Sequence, residues 1–181
     1  MNKPLPPLLP EVVLIKPQVF RDPRGFFLET YHKTRYLSLG IPLDFVQDNT
    51  SYSARGVLRG LHYQKNYPQG KLVSVSVGAI FDVAVDLRPH SKTFGAWCAA
   101  LLDHENHHQL YIPPGFAHGF YVLSDSARVH YKCTDYYHPE DERGIRWDDP
   151  RLAIAWPIPP GSMPLVSEKD TSYALLKRET Q

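Results

Sequence analysis

The sequence predicts an all-β fold, either a sandwich or a jelly-roll barrel. Its apolar residues form many short runs separated by turn signals, and 17 prolines and 11 glycines in 181 residues leave little room for long helices. Aromatic residues make up 12% of the chain, a content that favours sheets. A chain of this length is expected to form one domain over residues 1–181.

The first third of the chain predicts strands around a single short helix. Pro17 divides one apolar stretch into two strands, and Gly40 supplies a stop for the helix. In order, we predict an irregular arm (1–10), two strands (11–20), a turn (21–25), a strand (26–31), a helix (32–39) and a polar loop (45–51).

Residues 55–64 predict a strand that carries two candidate functional side chains, Arg59 and His62. Strict alternation would place these two side chains on opposite faces of the sheet. They can converge only if the strand is irregular, and Gly60 is the residue at which a bulge is tolerated. A half-buried histidine beside a surface arginine is the alternative interpretation.

The clearest β pattern covers residues 70–87, where a strand begins at Lys71, turns at Gly78 and returns. Lys71 shares the apolar face of its strand, a costly position unless the lysine is paired, lies at a cavity mouth or binds an anion. Further strands are predicted at 97–102, 109–112, 119–123 and 128–136, followed from about residue 139 by an extended segment that wraps the barrel.

Composition argues against several classes of partner and location. A formal net charge of +1 gives no general electrostatic reason to bind nucleic acid or an anionic membrane. No run of 18 apolar residues predicts a transmembrane helix, and the N-terminus does not resemble a signal peptide. Cys98 and Cys133 lie in apolar runs, which indicates buried free thiols and a reducing, cytoplasmic location.

Clustered histidines in a jelly roll raise the hypothesis of a metal site. His104, His107 and His108 fall in one predicted turn, with His118 ten residues after the last of them. The chain lacks the His-x-His pair of metal-binding cupins, so we interpret the cluster as a solvated loop. No metal ligand is assigned.

His62 and His118 are better candidates for chemistry, because each lies among glycines and large apolar residues. Imidazole is the usual side-chain base near neutral pH, and a carboxylate that orients it makes it more effective. Asp82 and Asp170 are the candidate carboxylates. Core histidines bonded to backbone carbonyls remain the alternative for both.

Tyrosines and cations complete the candidate site. The phenol of Tyr131 could donate a proton to a carbanion, and Tyr136 or Tyr137 could stack on a planar ring, although core packing is the commoner use of tyrosine. Arginine suits bidentate binding of phosphate, and the chain has no glycine-rich phosphate loop, so side chains would have to hold a phosphorylated ligand.

Eight ordered segments together resemble the dTDP-4-dehydrorhamnose 3,5-epimerases of deoxysugar biosynthesis, over about residues 12–176. The segments are FRDPRGFFLE (20–29), FVQDN (45–49), VLRGLHYQ (57–64), QGKLV (69–73), FDVAVD (81–86), IPPGFAHGF (112–120), YKCTDYY (131–137) and SEKD (167–170).

The resemblance implies a cupin-type jelly roll, a homodimer that exchanges N-terminal strands, no metal or organic cofactor, and a dTDP-sugar substrate. The implied reaction inverts dTDP-4-dehydro-6-deoxy-glucose at C3 and C5. By the family pattern His62 is the base, Asp170 its partner, Tyr131 the acid and Lys71 the cation beside the C4 oxygen. The matching substrate contacts are Arg24, Glu29, Gln47, Asp48, Asn49, Arg59, Lys71, His118, Glu142 and Lys169. Arg24 could act across the dimer, and Tyr136 could close over the sugar or the base.

Other activities are compatible with the same residues. Relatives that act on one carbon, or that isomerise the ketone, share the pattern, and the segment 65–68 beside the site looks variable. A metal-dependent cupin oxygenase and a non-enzymatic sugar- or nucleotide-binding jelly roll are the more distant alternatives.

Overall fold

The computed structural model describes residues 5–41 and 44–176, and it confirms a jelly-roll barrel of two antiparallel five-stranded sheets. The first sheet has the order β1-β9-β6-β11-β4 and the second β12-β5-β10-β7-β8, while β2 and β3 form a separate hairpin. The strands are β1 (Val13–Ile15), β2 (Val19–Asp22), β3 (Gly25–Leu28), β4 (Gln47–Ala54), β5 (Leu58–Gln64), β6 (Lys71–Val77), β7 (Ala79–Asp86), β8 (Trp97–Asp103), β9 (Gln109–Ile112), β10 (Phe116–Val122), β11 (Ser126–Cys133) and β12 (Glu142–Gly144).

The main core lies between the two sheets. Val73 and Val129 from the first sheet and Val122 from the second are fully buried there. Burying each such side chain contributes about 1.5–3 kcal/mol relative to leaving it in water. This packing fixes the separation of the two sheets, and hence the width of any cavity between them.

The C-terminal segment covers the outer face of the second sheet, as predicted. Leu152 and the partly buried Trp147 and Trp156 pack there against Val83 and Val85 of β7. With both faces covered, β7 is buried along nearly its whole length, which explains its almost continuous apolar sequence.

The same segment is more regular than expected after residue 139. Glu142–Gly144 pairs with β5 as an edge strand, a 3₁₀ turn (Pro139–Asp141) precedes it, and the short helix α2 (Glu168–Ser172) follows. These pieces are too short for a periodic signal, so the sequence does not predict them.

The short helix near the N-terminus forms as predicted and covers the outer face of the first sheet. This helix, α1 (Lys33–Ser38), is capped by the His32 side chain, and Gly40 follows it at φ 87°. Its Tyr36 is buried against Leu72 of β6 and Tyr111 of β9.

The prediction of a polar loop at 45–51 is wrong, because Gln47–Ala54 forms β4. This strand pairs with β11 along its whole length, from Gln47 opposite Cys133 to Ala54 opposite Ser126. It is the edge of the first sheet, and alternate side chains are exposed, so a polar composition is compatible with pairing.

A bulge in β5 confirms the irregularity that the sequence required. His62 pairs with His118 and Arg59 with Phe120, so two residues of β5 lie opposite Gly119 alone. Gly60 has φ 117°, and a Cβ atom added there would lie 2.5 Å from the Gly119 Cα. No side chain larger than hydrogen fits at this position.

Both cysteines are buried and free, as expected. In the described ranges, no helix is long and apolar enough to cross a membrane.

Candidate active site

A cavity of about 300 Å³ opens between the two sheets. Strands β4, β6 and β11 of the first sheet and β5 and β12 of the second contribute to its walls. It is lined by Gln47, Asn49, His62, Tyr63, Gln64, Gln69, Lys71, Tyr131, Tyr137 and Glu142. Most of the side chains are polar, which suits a ligand with several hydroxyl and carbonyl oxygens.

The His62 imidazole is paired with a buried carboxylate. Its Nε2 lies 2.6 Å from Oδ1 of Asp170, whose side chain is only 5% exposed. Burial alone would raise the pKa of Asp170, but the hydrogen bond from His62 and that from the Gly60 amide hold it below the usual value. Asp170 is therefore ionised, fixes an Nε2–H tautomer and leaves Nδ1 of His62 as the basic nitrogen.

The opposite wall carries a cation and a phenol. Lys71 begins β6 and Tyr131 lies on β11, so both come from the first sheet, whereas His62 comes from the second. Burial lowers the pKa of Lys71 and raises that of Tyr131. Within the described parts of the chain, neither the Lys71 ammonium nor the Tyr131 hydroxyl has a hydrogen-bond or ion-pair partner, so both are available to a ligand.

Glu142 lines the cavity and is bonded to two residues of the C-terminal segment. Its Oε1 accepts from Lys169 at 2.7 Å and from Tyr173 at 3.3 Å, and its Oε2 accepts from Tyr137. Burial opposes ionisation of Glu142, but the hydrogen bonds of Lys169 and Tyr137 keep its pKa below the usual range. The hydrogen bond to this carboxylate raises the pKa of Tyr137 to about 12. The Tyr137 proton is therefore committed to Glu142, whereas the Tyr131 hydroxyl donates to no residue that the structure describes.

His118 is paired with the other candidate carboxylate. Its Nε2 lies 2.7 Å from Oδ1 of Asp82, and both side chains are almost completely buried. His118 does not line the cavity, although it lies on β10 directly opposite His62. Its predicted contact with substrate stays a prediction.

A second cavity of about 410 Å³ adjoins the first at His62, which lines both. Two predicted substrate contacts, Arg59 and Lys169, contribute its positive charge. Arg59 is positioned by a 2.9 Å hydrogen bond from its Nε to Ser53. The bulge at Gly60 thus lets Arg59 and His62 border a common space.

Besides His118, four predicted contacts line neither the first nor the second cavity. Arg24 lies at the tip of the β2–β3 hairpin with its side chain 90% exposed and bonded to Asp22, and Glu29 is bonded to Arg35. Asp48 pairs with Lys132 on the outer side of β4, because it alternates with Gln47 and Asn49, which face inward. Tyr136 is 61% exposed, and the adjacent Tyr137 takes the place at the cavity wall.

The sequence does not predict the positions of two aromatic side chains near the base. It indicates Tyr137 only as a stacking side chain, and nothing in it singles out Tyr173. The Tyr173 ring contacts the His62 ring edge-on at 5.8 Å between centroids, and it packs on Gly144, where a Cβ atom would lie 2.3 Å from the ring. Only the glycine at 144 hints at this contact in the sequence.

The histidine turn remains separate from the cavity. His104 bonds a backbone carbonyl through Nδ1, and His107 packs against Phe26. Among residues 5–41 and 44–176, no group of three or more His, Cys, Asp or Glu side chains is arranged to hold a metal ion.

Comparison with known proteins identifies the family. The model of the family described as dTDP-4-dehydrorhamnose 3,5-epimerase matches residues 7–178. Epimerases of that name from Methanothermobacter thermautotrophicus and Pseudomonas aeruginosa are 51% and 55% identical over 165 and 163 residues, covering 91% and 90% of this chain and 89% of each relative.

A solved structure agrees with this assignment. The dTDP-6-deoxy-D-glucose-3,5-epimerase of Legionella pneumophila, in complex with dTDP-4-keto-L-rhamnose, matches with a TM-score of 0.89 and 54% identity over 92% of this chain and 88% of that one. The chain therefore belongs to the dTDP-4-dehydrorhamnose 3,5-epimerase family of isomerases.

Proposed function

We propose that this protein converts dTDP-4-dehydro-6-deoxy-D-glucose into dTDP-4-dehydro-L-rhamnose by inverting C3 and C5. The observation that carries the proposal is the placement of a carboxylate-paired base on one sheet and, on the other, of a phenol and an ammonium that have no partner among residues 5–41 and 44–176. Inversion next to a ketone needs a base on one face of the ring and an acid on the other. Family membership supports the same reaction.

The proposed chemistry uses the acidity of carbons that flank a carbonyl. Nδ1 of His62 removes the proton from C3 or C5, and the electron pair moves onto the C4 oxygen as an enolate. The Lys71 ammonium stabilises that oxyanion in a half-buried site, where charge interactions are stronger than in water. Tyr131 then returns a proton to the carbon from the opposite face. Proton exchange with solvent then removes the proton from His62 and restores the proton of Tyr131.

The rest of the substrate is proposed to occupy the adjoining space. Arg59 and Lys169 are suited to the diphosphate by charge and by their place in the second cavity. Gln47 and Asn49 offer amide groups to the sugar or the thymine in the first cavity.

We further propose a single-domain chain that works as a homodimer in the cytoplasm. The β2–β3 hairpin exposes Phe20, Phe26 and Phe27 (53%, 54% and 69%) beside Arg24, an apolar surface that a second copy would bury. A partner's hairpin would also explain how Arg24 and Glu29 reach a substrate, although neither lines the two cavities of its own chain.

Proton NMR of the proposed substrate with the protein in D2O tests the function. Deuterium at both C3 and C5, with the rhamno product trapped by a reductase, is expected. Deuterium at C3 alone would show a single-site epimerase or ketoisomerase, and exchange at neither carbon would overturn the proposal. His62→Ala should bind dTDP without exchanging either hydrogen.

A further inference from the structure

One ion pair connects the two cavities. Glu142 lines the first cavity and Lys169 the second, and their side chains meet at 2.7 Å beside His62. The Glu142 side chain is 11% exposed, whereas the Lys169 side chain is 55% exposed. The cation is therefore the partner that can move, while the carboxylate is fixed by Tyr137 and Tyr173.

The second cavity needs that cation for the ligand proposed above. Among the residues that line it, Arg59 and Lys169 are the basic ones, apart from His62. A diphosphate carries more negative charge than one carboxylate and is thus a stronger partner for an ammonium. An exposed ammonium on a flexible side chain can exchange partners with little rearrangement of the backbone.

We propose that Lys169 is shared, held by Glu142 in the free protein and taken over by the diphosphate when the nucleotide binds. Nucleotide binding then leaves the Glu142 charge uncompensated beside the catalytic base. This inference rests on the proposed function, since it assigns the diphosphate to the second cavity.

The movement of Lys169 from Glu142 to the diphosphate would assist proton removal by His62. When His62 takes a proton from the substrate it becomes an imidazolium, which a free carboxylate nearby stabilises. Nucleotide binding would thus provide a second carboxylate, besides Asp170, that stabilises the imidazolium. Other titratable or charged groups facing His62 are Asp170 and Tyr173 from the tail, Tyr131 from β11, Lys71 from β6 and His118 from β10.

Calorimetric titration with dTDP, which needs no turnover, tests the proposal. Because dTDP has to displace Glu142 from Lys169, Glu142→Gln is expected to bind it about two- to fivefold more tightly than wild type. Lys169→Met should bind dTDP more weakly, and adding Glu142→Gln to Lys169→Met should give no further gain. Turnover of Glu142→Gln should fall even though its affinity for dTDP rises.

Glu168→Gln is the matched control, because it removes the same charge from an exposed position next to Lys169 in α2. If Glu168→Gln and Glu142→Gln tighten dTDP binding equally, the effect comes from long-range charge alone. That result would overturn the sharing of Lys169. Weaker dTDP binding by Glu142→Gln would also overturn it, and would assign Glu142 to direct support of the site. Absent deuterium exchange in wild type would instead contradict the proposed reaction, whatever the titrations give.

Discussion

Asp170 reaches His62 across a sequence separation of 108 residues, and its other oxygen, Oδ2, accepts the Gly60 amide at 3.1 Å. One carboxylate therefore fixes both the imidazole and the bulge that brings Arg59 and His62 to a common space. The His62–Asp170 pair therefore forms only in the folded protein.

Asp170→Asn is expected to reduce kcat by about 10²–10⁴-fold. The asparagine oxygen can keep the Gly60 bond, but its NH2 group then donates to Nε2 of His62 and forces the proton onto Nδ1, the nitrogen needed as the base. Steady-state kinetics with an unchanged circular dichroism spectrum check this. Asp125→Asn, in an exposed pair with Arg55, is the control and should keep wild-type kinetics.

Tyr131→Phe is expected to separate proton removal from inversion. His62 can still take and return a hydrogen on one face, while the opposite face lacks its donor. Substrate recovered from D2O should contain deuterium at C3 or C5 although product formation falls by about 10²-fold or more.

Tyr137→Phe provides the comparison for Tyr131, since its phenol is committed to Glu142. It should still form product. If Tyr137→Phe loses inversion and Tyr131→Phe keeps it, the two tyrosines have been assigned the wrong way round.

Activity should be lost in alkali through Lys71 rather than Tyr131. Burial lowers the pKa of Lys71 and raises that of Tyr131, so burial moves the loss of the ammonium charge towards lower pH and the loss of the phenol proton towards higher pH. The alkaline limb of kcat/KM, which reports the free enzyme, should therefore lie below the usual lysine pKa. Tyr131→Phe should leave that limb in place for its residual hydrogen exchange, whereas Lys71→Met should remove it.

Acid stability should depend on Asp86, which is fully buried and bonded to Arg88, Ser91 and Thr93. Burial opposes its ionisation, but these bonds lower the pKa of Asp86 well below the usual range. A lowered folded pKa stabilises the fold above about pH 4, and that contribution is lost as the pH falls towards the folded value.

Asp86→Ala should consequently lower the free energy of unfolding by about 3–5 kcal/mol at neutral pH. Urea denaturation at several pH values measures the loss, which should shrink in acid. Asp44→Ala, which removes an exposed pair with Lys33, should cost less than about 1 kcal/mol. Equal losses in the two variants would contradict the role of burial.

Mixed dimers test the assignment of Arg24 to a partner's site. If each site takes its base from one chain and Arg24 from the other, a mixture of inactive Arg24→Ala and inactive His62→Ala chains should recover activity through heterodimers. Kinetics after co-refolding measure the recovery, with each variant alone as the control. No recovery would place Arg24 in its own chain's site or outside catalysis.

The sequence predicts the barrel well because its strands alternate or form short apolar runs. Residues 71–77 and 79–86 show this most clearly, and the bulge follows from a glycine between two polar candidates. It does not predict β4, whose polar side chains suit an edge strand as well as a loop, or β12, whose three residues are defined only by their partner.

The same limit applies to the site. His62, Lys71, Tyr131 and Asp170 lie in segments that resemble the family, and the resemblance implies the pairing of Asp170 with His62, which the fold shows. The pairing of Asp82 with His118 is seen only in the fold. The contacts of Tyr173 could not be inferred, since this tyrosine and Gly144 come together only when the tail docks.

Because the C-terminal segment docks on the barrel, its residues are the last to join the candidate active site. Leu165 bonds the backbone on both sides of residue 57, and the following residues deliver Lys169, Asp170 and Tyr173 to a barrel whose strands all lie earlier in the chain. During synthesis the barrel strands emerge first and the base gains its carboxylate last. Proteolytic cleavage near the exposed Met163 could therefore abolish activity while leaving the strands of both sheets intact.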